Sequence, residues 1–204
     1  MSETKKYELT SETLRYKGCT LHRIKALKDF GSIKAGELGG WIESEENLSQ
    51  ANNAWVYGDS KVYEDAKVYD DAVICGNARV RGNARVFDNA MVYGLAKVGD
   101  KAEIGDKATI CDKAEIRGNA KIRDAADYIV FKDFWSNRRY FTWTRSNNKW
   151  NVGGFHGTGE ELIKKAYSDS EISGREYERV VRYVEGILAD EKKQVTNHPA
   201  KDKN

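Results

Sequence analysis

The sequence predicts a mainly β protein, in which a short parallel β-helix of about four coils follows a capping segment and precedes a small α+β domain. A β-branched residue recurs at every sixth position from Val56 to Ile122. A small residue follows four positions after each of these, serine at Ser60 and alanine in the other repeats. Between them lie pairs that favour tight turns, such as Gly76-Asn77. These observations together predict the coil.

The period of six decides between the possible β architectures. It fits neither a helix of 3.6 residues per turn nor a meander, which would need longer strands of alternating polarity. It suits a triangular coil with a short strand on each side and a turn at each corner. The Val or Ile then points inward, the alanine lies where the corner narrows, and stacked coils pair their backbones about 4.8 Å apart. Twelve repeats at three per coil give the four coils.

The repeat resembles that of the hexapeptide-repeat proteins, whose family fold is the left-handed parallel β-helix. That family includes many acyltransferases, usually trimeric, and the trimeric zinc carbonic anhydrases of the gamma class. The segments Glu37–Ile42 and Glu45–Leu48 and the aromatic carboxy-terminal part are similar to uncharacterised members from bacteriophages and prophages. The resemblance implies a left-handed coil, subunit packing and a phage context.

The catalytic residues of that family have no counterpart in the coil. The acyltransferases use a histidine general base near the coil edge, and the anhydrases hold zinc with three histidines. No histidine lies between Val56 and Ile122, since the three in the chain are His22, His156 and His198. We therefore predict no catalytic residue, no metal and no cofactor. The alternative is an acyltransferase or other small-molecule enzyme that uses His156 or His22.

A glycine-rich stretch, Val152–Gly159, precedes a predicted helix that begins at Glu160. Such a loop can hold phosphate through backbone amides at a helix start. It lacks the Gly-Lys-Ser/Thr ending of a phosphate-binding P-loop. Thr158 and Glu161 form a capping box, which explains the sequence without a ligand.

Sorting the repeats into threes assigns the outward side chains to three faces. The first face is uncharged, and we expect it to be buried against another subunit or the aromatic carboxy-terminal segment. Its interface residues are Trp55, Tyr57, Val73, Met91 and Tyr93. The second face is basic and the third is mixed but cationic. The candidate residues for binding an anion or an acidic partner are Lys61, Arg79, Arg81, Lys97 and Arg117 on the second face and Arg85 and Arg123 on the third. The other interpretation of these rows is a solvated outer surface.

Composition divides the chain into four segments. Residues 1–50 form the amino-terminal cap and residues 51–126 the β-helix. Residues 127–190 form the α+β domain, with a hairpin around Asn147-Asn148, helices over 160–167 and 175–188, and aromatics such as Phe134 and Trp135 as its core. Residues 191–204 form a polar tail.

We predict a cytoplasmic protein, because no apolar run approaches the about 20 residues of a membrane span and no signal peptide is present. The three cysteines Cys19, Cys75 and Cys111 suggest neither a disulfide framework nor a zinc site. The net charge of +2 is too small to indicate nucleic-acid binding by itself.

The predicted function is that of a non-catalytic binding protein of phage or prophage origin, whose coil presents its faces to a host protein, an anionic macromolecule or a nucleotide. Inhibition of a bacterial defence system is the form that the phage resemblance suggests. We expect a homo-oligomer, trimer or dimer. A nucleotide-sequestering protein is the third interpretation, after the enzyme.

Overall fold

The computed structural model describes residues 4–133 and 138–197. The chain forms two compact units, Met1–His156 and Gly157–Asn204. The strands outside the coil are β1 Tyr7–Tyr16, β2 Cys19–Ala26, β3 Leu38–Ile42, β16 Tyr128–Lys132, β17 Tyr140–Thr144, β18 Lys149–Val152 and β19 Phe155–Gly157. The strands of the coil are β4 Trp55–Val56, β5 Lys61–Val62, β6 Lys67–Val68, β7 Val73–Ile74, β8 Arg79–Val80, β9 Arg85–Val86, β10 Met91–Val92, β11 Lys97–Val98, β12 Glu103–Ile104, β13 Thr109–Ile110, β14 Glu115–Ile116 and β15 Lys121–Ile122. The helices are α1 Gly159–Asp169 and α2 Glu171–Asn197.

The twelve short strands stack into three parallel sheets, which confirms the predicted left-handed parallel β-helix. Strands β4, β7, β10 and β13 form the first face, β5, β8, β11 and β14 the second face, and β6, β9, β12 and β15 the third face. Each residue pairs with the one eighteen positions further along, as Lys61 does with Arg79. The assignment of outward residues to faces is therefore correct.

The interior of the coil is filled by the β-branched and alanine positions of the repeat. Every inward Val and Ile from Val56 to Ile122 is buried, as is every alanine of the repeats from Ala66 to Ala120. Backbone groups of successive turns pair, for example the Arg79 N–H with the Ala96 carbonyl at 3.0 Å. Since burying one Val or Ile side chain stabilises by about 1.5–3 kcal/mol, the row of such residues is the main source of stability.

The corners of the coil hold several of its acidic residues. From Val56 to Ile116, the second residue after each inward one adopts a positive φ, which glycine tolerates best. Gly82 has a φ of 68° and Asp88 a φ of 54°. The Asp88 carboxylate accepts the backbone N–H of Asp106 at 2.8 Å, and the Asp100 carboxylate accepts that of Gly118 at 2.9 Å. These hydrogen bonds offset the strain of a non-glycine residue in the left-handed region.

The coil has about five turns, because it begins before the first predicted repeat. Strand β3 pairs in parallel with β5, and Leu48 forms a bridge with Val68. Ile42 and Leu48 are buried and lead into the inward rows of the second and third faces. The parallel pairing of the coil thus includes Ile42 and Leu48, which the sequence pattern placed in the amino-terminal cap.

The paired glycines of the Glu37–Ile42 segment are needed for close packing at this first turn. A Cβ on Gly39 would lie 2.6 Å from the Ile24 Cγ1, and one on Gly40 would lie 2.7 Å from the Val56 Cγ1. Real Cβ atoms do not approach other atoms this closely. Glycine is therefore required here for space.

The amino-terminal hairpin of β1 and β2 extends the sheet of the second face to seven strands. Just before it, the buried Lys6 side chain closes the first turn. Its Nζ donates to the carbonyl oxygens of Ala51 at 3.2 Å, Asn52 at 3.4 Å and Ala54 at 2.9 Å. Burial, with a smaller contribution from Lys28, lowers the pKa of Lys6 to about 8.

The sheet β16–β19 covers the last turn of the coil. The backbone N–H of Glu115 donates to the Thr142 Oγ1 at 3.0 Å, and that of Lys121 donates to the Ser146 Oγ at 2.7 Å. Side chains of the sheet thus satisfy coil amides that have no further turn to pair with. The predicted hairpin is confirmed, with Asn148 in the turn at a φ of 48°. Phe134 and Trp135 lie outside the described residues.

The second unit contains the two predicted helices. The capping box at the start of α1 is confirmed, because the Glu161 N–H donates to the Thr158 Oγ1 at 3.2 Å and the Thr158 N–H donates to the Glu161 carboxylate at 2.7 Å. Helix α2 is longer than predicted and buries Val181 and Val184 of the predicted apolar stripe. Within the described part of the chain, no helix combines the length and the apolar character that crossing a membrane requires.

Replacing Lys6 by Met should lower the free energy of unfolding by about 1–3 kcal/mol, because three carbonyls at the first turn lose their donor. Urea unfolding followed by tryptophan fluorescence measures this. The matched control is Lys5→Met, which removes an exposed pair with Glu45 and should cost under about 1 kcal/mol. Equal unfolding midpoints for the two variants would contradict the role given to Lys6.

Candidate anion-binding site

An aromatic cluster covers part of the second face where the amino-terminal hairpin folds over it. Tyr63 points outward next to Val62 but packs edge-on against Tyr16, with ring centroids 5.7 Å apart, and also contacts Leu21 and Trp41. Tyr63 is fully buried, and its hydroxyl has no hydrogen-bond partner among the described residues. Burial raises the pKa of Tyr63 to about 12, so the hydroxyl stays protonated and able to donate.

A small cavity lies beside this cluster, with a volume of about 70 Å³. The hairpin turn contributes Lys17, Tyr63 follows β5, and strands β8, β11 and β14 with the residues that follow them contribute the rest. Basic side chains predominate in its lining, which consists of Lys17, Tyr63, Arg79, Arg81, Lys97, Val98, Gly99, Glu115 and Arg117. The geometry thus gathers four of the five basic residues predicted on the second face.

Three of these cations are left without a carboxylate. The Arg79 guanidinium lies 5.6 Å from the centre of the Tyr16 ring, and Lys17, Arg79 and Arg81 form no ion pair in the part of the chain that the structure describes. The remaining charges are partly compensated. Lys97 pairs with Glu115 at 3.5 Å, and Arg117 lies 3.6 Å from Asp100 and 3.8 Å from Glu115. The cavity therefore keeps an excess of positive charge.

Lys61, the fifth predicted residue of this face, is placed apart from the cavity lining. Its Nζ donates to the Asp59 carbonyl at 2.7 Å and lies 5.4 Å from the Tyr16 ring centre. Burial lowers the pKa of Lys61. Lys61 and Arg79, which are paired in neighbouring strands, thus both contact the Tyr16 ring, and Lys61 is not part of the cavity lining.

The third face differs because its cations share a central carboxylate. Glu103 pairs with Arg85, with Arg123 at 3.3 Å and with Lys121 at 3.4 Å. The hydrogen bond from Arg85 is the main cause that lowers the pKa of Glu103. Arg85 and Arg123, both predicted to bind an anion, therefore already have a negative partner within the protein.

The first face is covered at its start by the amino-terminal segment. Trp55 is buried against Phe30 and Tyr7, with ring centroids 5.3 Å and 6.2 Å away. We predicted that another subunit or the carboxy-terminal segment would cover this face. At Trp55 it is covered instead by residues of the same chain that precede the coil. Tyr57 lies beside the same segment, with its hydroxyl 3.4 Å from the Ser32 Oγ.

The other end of the first face meets β16, and its middle stays open. The Tyr128 hydroxyl donates to the Thr109 carbonyl at 2.9 Å, so the carboxy-terminal segment does reach the last turns. Val73 is half-buried, whereas Met91 and Tyr93 are exposed. The uncharged face is therefore partly covered within one chain.

The structure describes two of the three histidines, and it places His156 in a strand where the sequence predicted a glycine-rich loop. His156 lies in β19, where its Nδ1 is 2.7 Å from the Asn151 Oδ1, and its ring lies close to Gly118 of the coil. His22 is in β2, with its Nδ1 3.4 Å from the Thr10 carbonyl. His198 lies outside the described residues. Among the residues that are described, no group of three or more His, Cys, Asp or Glu side chains could hold a metal ion.

Sequence reasoning missed Tyr63, Lys17 and Asn151 as site residues. Tyr63 was assigned correctly to the second face, but its burial depends on the hairpin that folds over it. Lys17 reaches the cavity for the same reason. Asn151 precedes His156 by five residues across a turn between two strands, and this spacing was the one available signal for their contact.

No protein-family model matches the chain. A stretch of 61 residues is 36% identical to a protein of Escherichia coli (strain K12) named as the uncharacterized acetyltransferase YdcK. The matched part covers 26% of this chain and 19% of that protein. The chain therefore spans about a fifth of the length of this relative, and the similarity concerns a segment.

Glu103 should make the stability of the third face depend on pH. A carboxyl whose pKa is lowered from 4.5 in the folded protein stabilises it above that value, and the stabilisation is lost as the pH falls through the lowered pKa. We expect Glu103→Gln to unfold about 1 kcal/mol more easily at neutral pH, with the difference vanishing in acid. Urea unfolding across this pH range measures it. The control Glu46→Gln, at an exposed pair with Lys67, should show no such pH dependence. A difference between Glu103→Gln and the wild-type protein that stays the same at every pH would contradict this role of Glu103.

Proposed function

We propose that this protein is a non-catalytic binding protein that holds an anionic partner against the second face of its coil. The observation that carries the proposal is the cavity beside Tyr63, where Arg79 and Arg81 have no carboxylate partner in the described chain. Unpaired guanidinium groups on a fixed backbone attract and orient carboxylates or phosphates. The third face is a weaker candidate, since Glu103 already neutralises its cations.

The nature of the partner follows from the form of the surface. A row of cations on parallel strands presents charge along the coil axis, which suits an extended anionic macromolecule or an acidic protein surface. The phage origin, the inhibition of a bacterial defence system, the host partner and the homo-oligomer belong to this proposal and rest on the sequence resemblance. The exposed Met91 and Tyr93 are the residues through which a second copy would make contact.

The test is capture of the partner from bacterial lysate by the immobilised protein, with the retained material identified and its affinity measured. We expect the double variant Arg79→Gln/Arg81→Gln to bind at least about tenfold more weakly, because it removes two uncompensated charges from the contact. The control Lys67→Gln/Lys121→Gln removes the same charge from the third face and should retain the partner. A partner held equally by both variants would contradict the proposal.

A second candidate function is acyl transfer. It is supported by the similarity of a 61-residue segment to a protein named as an acetyltransferase, and by the contact of His156 with Asn151. An amide oxygen at the Nδ1 can accept its proton, which favours the tautomer whose Nε2 is the unprotonated nitrogen that a general base needs. Asn151 would thus orient the His156 imidazole.

The two functions are separated by incubating the protein with acetyl coenzyme A and a panel of amine and hydroxyl acceptors. The binding proposal predicts no turnover above background. Turnover that His156→Ala abolishes and His22→Ala preserves would favour acyl transfer instead. Because the His22 imidazole lies in the amino-terminal hairpin, its replacement controls for the loss of one imidazole as such.

A further inference from the structure

We propose that the cavity beside Tyr63 binds a phosphate group, with the Tyr63 hydroxyl as hydrogen-bond donor and the Arg79 and Arg81 guanidinium groups as counter-ions. This inference rests on the proposed binding function and names the chemical group that the second face recognises. Its elements come from three places in the chain: the hairpin turn, the strand β5 and the strands β8 to β14.

The Tyr63 hydroxyl indicates a ligand, because a buried hydrogen-bond donor without a partner destabilises the fold. The Tyr63 ring is held by Tyr16, Leu21 and Trp41, which a phenylalanine ring would contact equally well. Packing therefore does not require the hydroxyl. Among the described residues nothing accepts its hydrogen bond, and Tyr63 is part of the cavity lining. An acceptor bound in the cavity completes the arrangement.

The two arginines are positioned by the strand between them. Arg79 and Arg81 flank the inward Val80, so both side chains leave the same face of the coil. Gly99, one turn further along, lies beside the Arg81 side chain. A Cβ at this position would stand 3.6 Å from the Arg81 Cγ and 3.8 Å from its Cζ. The guanidinium is thus kept near the cavity.

The size and charge of the cavity favour phosphate over other anions. Its volume of about 70 Å³ is several times the about 10–15 Å³ that a cavity needs to hold one water molecule, which leaves space for a compact tetrahedral anion. A phosphate monoester carries close to two negative charges and three oxygen acceptors, which match two guanidinium groups and one hydroxyl. Glu115 is the one carboxylate in the lining, and Lys97 and Arg117 compensate it. The rest of a phosphorylated ligand would extend outside the cavity.

The decisive variant is Tyr63→Phe, examined by calorimetric titration with inorganic phosphate at constant ionic strength. We expect saturable binding to the wild-type protein and at least about tenfold weaker binding to the variant, as for the loss of a hydrogen bond to a charged group. Thermal unfolding without phosphate should not occur at a lower temperature in the variant, since the hydroxyl has no partner in the free protein. Equal phosphate affinities, or no saturable binding to the wild-type protein, would overturn the proposal.

A second variant tests the same site without touching the aromatic cluster. Gly99→Asp introduces a carboxylate beside Arg81 at a position with room for a Cβ, and it should abolish phosphate binding. The control Lys67→Gln, on the third face, should leave binding unchanged. Binding that persists in Gly99→Asp would place the phosphate elsewhere and refute the assignment.

Further titrations distinguish the source of the phosphate and separate this proposal from the one it rests on. Adenosine monophosphate that binds more tightly than inorganic phosphate, with both lost in Gly99→Asp, supports a phosphorylated ligand, whereas equal affinities support recognition of the phosphate group alone. If phosphate does not bind but Arg79→Gln/Arg81→Gln still loses the macromolecular partner, only the phosphate site is refuted. If phosphate binds but Arg79→Gln/Arg81→Gln still holds the macromolecular partner, the phosphate site is supported and the proposed binding of that partner at the second face is refuted.

Discussion

The structure depends on the interior of the coil, which has room for one β-branched side chain on each side and one small residue near each corner. This constraint fixes the period of six, and the backbone hydrogen bonds between turns fix the register of eighteen. Outward side chains are then held in rows by the backbone of the coil, whether they are buried, as Trp55 is, or exposed. The spacing of Arg79, Arg81 and Gly99 is therefore a property of the coil and does not depend on their own contacts.

The coil and its three faces could be predicted because the repeat is a local pattern that recurs along the chain. The covering of those faces could not. Tyr16 reaches Tyr63, and Phe30 reaches Trp55, only after the amino-terminal hairpin folds back over the coil. No spacing in the sequence shows where a hairpin will dock. The Glu37–Ile42 segment was noted for its resemblance alone, and the reason for its glycine pair, close packing on the first turn, required the structure.

The candidate site, too, could be predicted from the sequence only in part. The cations of the second and third faces were identified, yet each face was judged by its total charge. The register of eighteen places Glu103 between Arg85 and Lys121, so the neutralisation of the third face could have been deduced from the repeat. The unpaired Tyr63 hydroxyl could not, because its burial depends on the hairpin. Charge pairing within a row follows from register, whereas burial follows from the docked segments.

The most direct test of the account is a crystal structure of the wild-type protein grown or soaked with phosphate. A coil that positions an anion site predicts tetrahedral density beside Tyr63, with one oxygen about 2.7–2.8 Å from its hydroxyl and others near the Arg79 and Arg81 guanidinium groups. Density against Arg85 and Arg123 instead, with the Tyr63 hydroxyl still lacking an acceptor, would contradict it.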